Sequence, residues 1–144
     1  MPGSSHLSHP RTLRLRLACN LAEVRMAAQM ARAFLAEQGC AEKELMDYEL
    51  ALVEACNNAI KYVADGGRQK PVLMEVLCDP HEVELRITDH TPGFEWPEKA
   101  MLPDPESESG RGLYLIRALM DYANYLRSPG ENVLVLKKAR KSQR

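Results

Sequence analysis

The chain of 144 residues, 45% hydrophobic and 27% charged, fits one globular domain able to bury a core without staples. A formal net charge of −1 excludes a domain-wide basic field that would gather nucleic acid or an acidic membrane surface. No run approaches the roughly 20 apolar residues of a membrane helix, and "MPGSSHLSHPRT" lacks the apolar centre of a secretory signal, so a cytoplasmic protein is expected.

Residues 1–11 read as a flexible tail, residues 12–138 as the folded domain and residues 139–144 as a basic tail. The basic end as a whole, Lys137, Lys138, Arg140, Lys141 and Arg144, is expected to be solvated. "TLRLRLA" alternates Leu13, Leu15 and Leu17 with Arg14 and Arg16, the pattern of a half-buried strand. Leu21, Val24, Ala28, Ala31 and Leu35 recur at helical spacing, and Gly39 follows as a stop. A second helix starts near Ala41 and carries Leu45, Leu52, Val53, Cys56, Ile60 and Val63 up to Gly66 and Gly67.

"PVLMEVLC" and "EVELRITD" read as two strands joined by a loop at "DPHE", with Val83, Leu85 and Ile87 alternating with Glu84, Arg86 and Thr88. The segment from Asp89 to Gly110 holds Pro92, Pro97 and Pro103 and shows little periodicity, and its length marks it as functional or mobile. "GRGLYLIRAL" then opens a helix near Leu113 that runs to about Asp121; "YANYLR" and "NVLVLKK" are strands turned by Pro129 and Gly130. This order predicts a two-layer α+β sandwich, a mixed, mostly antiparallel sheet with helices on one face. The four cysteines, Cys19, Cys40, Cys56 and Cys78, have no zinc-ligand spacing and are expected as buried free thiols.

Three stretches can carry chemistry. In "LALVEACNNAIKYV", Glu54, Asn58 and Tyr62 stand four apart and form one stripe beside the apolar face. A carboxylate there can take a proton from an attacking hydroxyl, and an amide oxygen suits Mg²⁺; the same pattern also describes a plain solvated helix face. In "ITDHTPGF", Asp89 at a strand end can accept from a base's amino group while Gly93 allows close backbone approach, although Asp and Gly are equally ordinary in turns. In "GRGLYLIRAL", Gly110 and Gly112 precede helical N–H groups open to an anion and Arg111 adds a cation, or the glycines serve helix entry alone. Neither a Walker-type phosphate loop nor a dinucleotide fingerprint is present.

Taken in order, the three stretches resemble the N box and the two glycine boxes of the small serine kinases that act as bacterial anti-sigma factors. These are members of the histidine-kinase-like ATPase superfamily that includes gyrase and the mismatch-repair ATPases. The resemblance covers about Leu13 to Lys138. It implies ATP and Mg²⁺ as cofactors, Glu54 as general base, and Asn58 as the Mg²⁺ ligand. It also implies Asp89 as the partner of the adenine amino group and Gly93 as shaping that side of the pocket. Gly110, Arg111, Gly112 and Leu113 would meet the phosphates at the end of a lid spanning residues 95–109.

The implied activity is protein-serine kinase and anti-sigma factor by partner switching. Its partners would be a sigma factor and a small antagonist phosphorylated on serine, with a possible homodimer. Thr91 stands where the first glycine box usually has glycine, and Tyr62 where many relatives have histidine. The last strand lacks the threonine often found after its glycine. Thr91 motivates an alternative, a nucleotide-regulated binding module that moves no phosphate. A histidine-kinase catalytic domain is disfavoured, because His6, His9, His81 and His90 all fall in a tail or in loops.

Overall fold

The computed structural model describes residues 9–18, 20–61, 70–90 and 108–140. Within them the chain runs β1 (Arg11–Leu17), α1 (Leu21–Glu37), α2 (Glu42–Lys61), β2 (Val72–Cys78), β3 (Glu82–Asp89), α3 (Glu108–Leu119), β4 (Tyr122–Ser128) and β5 (Glu131–Ala139). The five described strands form one sheet in the order β1-β2-β3-β5-β4, and every neighbouring pair is antiparallel. The expected two-layer α+β sandwich is what forms, its sheet antiparallel throughout among the described residues.

Local chemistry fixes the element ends. Asn20, in extended conformation, caps α1 by accepting from Glu23 N at 2.9 Å, and the Glu23 carboxylate accepts from Ala18 N at 2.8 Å. Such a cap is worth about 1 kcal/mol. At the other end Gly39 takes φ +89°, while Gly39 N and Cys40 N donate to Ala36 O and Leu35 O, the two bonds of a Schellman stop. Pro129 and Gly130, the latter at φ +79°, make the two-residue turn that sets β4 against β5 with Ser128 opposite Glu131. In the β2–β3 hairpin, Asp79 Oδ1 accepts from the backbone of both His81 and Glu82 at 2.7 Å.

The core lies between the helices and one face of the sheet. Leu13, Leu15 and Leu17 of β1 pair in register with Val76, Met74 and Val72 of β2, and Val83, Leu85 and Ile87 of β3 continue that face into Leu134 and Leu136 of β5. Onto it α1 presents Val24, Ala27, Ala28, Ala31 and Leu35, and α2 presents Leu45, Tyr48, Leu52 and Cys56. Arg32 joins the two helices through Glu49 at 2.7 Å and through Glu42.

Four expectations need correction. Leu21 begins α1 but is 58% exposed, because the apolar stripe proper starts at Val24. Glu84, read as outward-facing, is fully buried; Arg86 Nε lies 2.5 Å from its carboxylate, and Leu77 and Lys137 flank it in register. Helix α3 begins at Glu108 rather than near Leu113, since the Ser and Glu residues ahead of the glycines are themselves good helix starters. Finally, Lys137 and Lys138 belong to β5, and Arg140 is partly buried and bonded to the Asp79 and Gln38 carbonyls, so the basic end is anchored as far as Arg140. Cys40, Cys56 and Cys78 are buried free thiols as expected; Cys19 lies outside the described residues.

Candidate functional site

Helix α2 packs on β2 and β3 and against α3, which brings the N-box segment, the end of β3 and the second glycine box onto neighbouring elements. On α2, Glu54 is partly buried and Asn58, one turn later, is 6% exposed. Their spacing of four puts both on the border between the core face, formed here by Ala55, Cys56 and Ala59, and the open side of the helix. The Asn58 Nδ2 is buried without a protein partner, and so is Asn57 Oδ1. A buried amide left unpaired costs on the order of 1–3 kcal/mol, so Asn58 fits a position where a bound group completes its hydrogen bonds.

Asp89 is the last residue of β3 and stands on the core face in register with Asn132 near the start of β5. The two are 4% and 2% exposed, and Asn132 Nδ2 donates to Asp89 Oδ1 at 3.0 Å. One carboxylate oxygen is thereby fixed by a neutral donor in a buried setting, which orients the group without neutralising its charge. Next in the chain, His90 is half-buried with Nδ1 unpartnered. Asn132 was missed by sequence reasoning; its signal was a lone polar residue leading the apolar run "NVLVL".

The second glycine box lies inside the first turns of α3, so Gly110, Arg111, Gly112 and Leu113 are helical rather than a turn ahead of the helix. The far end of α3 is tied down by Lys138 Nζ, which donates to Leu119 O at 2.8 Å and meets the negative end of the helix dipole. Gly93, Thr91, Tyr62 and most of the proposed lid lie outside the described residues. The described elements thus bring together α2 with Glu54 and Asn58, β3 with Asp89, and α3 with the helical glycines.

The histidine kinase-like ATPase domain family matches residues 17–138, most of the chain. The chain belongs to this family. Its members include relatives of the kind the three boxes suggested. The chain is 28% identical to the serine-protein kinase RsbW of Bacillus pumilus (strain SAFR-032) over 110 residues, 69% of this chain and 68% of that protein. Its fold is similar to the RsbU and RsbW domains of Rv1364c from Mycobacterium tuberculosis, with a TM-score of 0.69 at 17% identity over 93% of this chain. This chain spans about a third (34%) of that protein. The structure of the SiaB–SiaC complex from Pseudomonas aeruginosa shares the fold at a TM-score of 0.59 and 14% identity, covering 88% of this chain and 89% of that one. The chain therefore carries a nucleotide-binding ATPase fold. Among the described residues, no helix is long and apolar enough to cross a membrane.

Proposed function

We propose that the protein is an ATP-dependent serine kinase and anti-sigma factor that works by partner switching, phosphorylating a serine on a small antagonist protein. The observation that carries the reading is the pairing of a partly buried Glu54 with a buried, unpartnered Asn58 one turn away, on the helix that packs against the strand ending in Asp89. Support for the kinase class comes from the similarity to RsbW, and support for a protein partner from the SiaB–SiaC complex.

In this reading the Glu54 carboxylate accepts the proton of the attacking seryl hydroxyl, and the half-buried setting keeps bulk water from competing for it. The Asn58 side chain offers its oxygen to Mg²⁺ and its nitrogen to a phosphate oxygen. When bound, Mg²⁺ neutralises charge on the triphosphate. Asp89, held by Asn132, accepts from the adenine amino group, and the first turn of α3 presents N–H groups to the phosphates. The resemblance assigns Gly93 to the adenine side, and Arg111 and Leu113 to the phosphate side, of the nucleotide.

Labelled ATP, Mg²⁺ and candidate antagonists test this directly. Wild-type protein transfers label to a serine of its antagonist, and Glu54→Ala lowers that rate on the order of 10²- to 10⁴-fold with ATP affinity retained. Tight ATP binding by the wild type with no transfer to any protein it binds would instead establish the nucleotide-regulated binding module that Thr91 motivates.

A further inference from the structure

Away from this site, the turn between α1 and α2 meets the end of β2 at two thiols. Cys40 is placed by the Schellman stop, its N–H bonded to Leu35 O, and Cys78 ends β2 on the core face after Met74 and Val76. They are 7% and 2% exposed, and each thiol acts on the ionisation of the other, as neighbours in the core do. Arg140, just past β5, reaches over both segments. Its Nη1 lies 3.5 Å from Cys78 Sγ and donates to Asp79 O at 2.9 Å, while its Nη2 donates to Gln38 O at 2.7 Å.

The charges around the pair decide which thiol ionises. The Cys40 S–H and the Arg140 guanidinium hold the Cys78 thiol below its ordinary value, against burial and the Asp79 carboxylate. Cys40 is pushed up by its bond to Cys78, by burial and by Glu44. Cys56 is the internal contrast, fully buried and pushed up to about 12 by desolvation alone. A thiol whose ionisation an adjacent guanidinium favours, with a second thiol as neighbour, is the arrangement of a nucleophile and its resolving partner.

We propose that Cys40 and Cys78 form a peroxide-sensitive dithiol that oxidises reversibly to an intramolecular disulfide, tying the α1–α2 turn to the end of β2. The Cys78 thiolate attacks one oxygen of hydrogen peroxide; an S–O bond forms, the O–O bond breaks, and the departing hydroxide takes a proton to leave as water. The Cys40 sulfur then attacks the Cys78 sulfenic acid; the S–S bond forms, the S–O bond breaks, and the Cys40 proton leaves with that oxygen as a second water. Two electrons pass from the two thiols to peroxide. A thiol reductant reverses the reaction by exchange.

The test treats the folded full-length chain with hydrogen peroxide, alkylates the remaining thiols and maps peptides by mass. The expected product is a Cys40 peptide joined to a Cys78 peptide with the loss of two hydrogens, restored by dithiothreitol, with Cys56 still reduced. In Cys40→Ser, the Cys78 sulfenic acid persists and is trapped by dimedone. Arg140→Gln slows the oxidation near neutral pH roughly several-fold, because the cation 3.5 Å from Cys78 Sγ is gone. Cys40 and Cys78 both remaining alkylatable after peroxide, a disulfide involving Cys19 or Cys56 instead, or no dimedone adduct at Cys78 in Cys40→Ser would each overturn the proposal.

Discussion

Asp89 and Asn132 show how much of this site turns on single atoms. A strand-end Asp was legible in "ITDHTPGF" only through its place between the other two stretches, since Asp and Gly are ordinary in turns, and its orienting partner lies 43 residues away, where only pairing of β3 with β5 reveals it. If Asp89 receives the adenine amino group, Asp89→Asn weakens ATP binding about 10- to 100-fold, the worth of a hydrogen bond to a charged group. Asn132→Ala weakens it less, because the carboxylate stays but is no longer aimed. Calorimetric titration of both variants checks this, and unchanged affinity in Asp89→Asn removes the assignment. Cys56 gives a separate expectation about pH. Burial raises its thiol from 9.0 to about 12 in the folded chain, so its contribution is complete below the unfolded value and is lost as pH rises toward the folded one. The unfolded chain binds fewer protons across that window, and stability falls by about 1 kcal/mol per pH unit from this group alone. Urea titrations across the alkaline range should show a shallower decline in Cys56→Ala.

At the level of elements, starts and stops written in local chemistry were readable, and those set by distant contacts were not. Gly39 was legible as the stop of α1, because a glycine after a periodic apolar stripe supplies the left-handed turn that other residues resist. Gly39→Ala forces an alanine into φ +89° and should cost roughly 1–2 kcal/mol, seen as a lower urea midpoint at unchanged slope. Helix α3 went differently. Its two glycines drew attention to a turn, whereas the helix already runs from Glu108. Arg140 was equally hidden: five cationic residues in the last eight look like a tail, and only the fold shows one of them bridging the α1–α2 turn and the β2–β3 hairpin.

For the whole molecule, the order of strand, helix and hairpin patterns was enough to specify the α+β sandwich, since the period switches between two and 3.6 wherever a strand meets a helix. Strand order was not legible, because β3 pairs with β5 across a connection that contains α3 and β4. Nor was the inward turn of Glu84, which strand alternation places opposite the apolar face of β3. What the fold adds to the three boxes is a spatial division, with Glu54 and Asn58 on α2 and Asp89 and Asn132 on the β3–β5 pair, which the proposed function assigns to the phosphates and to the base. The most direct test of that division is ATP affinity measured with and without Mg²⁺ in wild type, Asn58→Ala and Asp89→Asn. Wild type should bind more tightly with Mg²⁺, Asn58→Ala should lose that gain, and Asp89→Asn should lose affinity equally in both conditions. A wild type that binds no ATP, or an Asn58→Ala that keeps the full Mg²⁺ gain, would contradict the account.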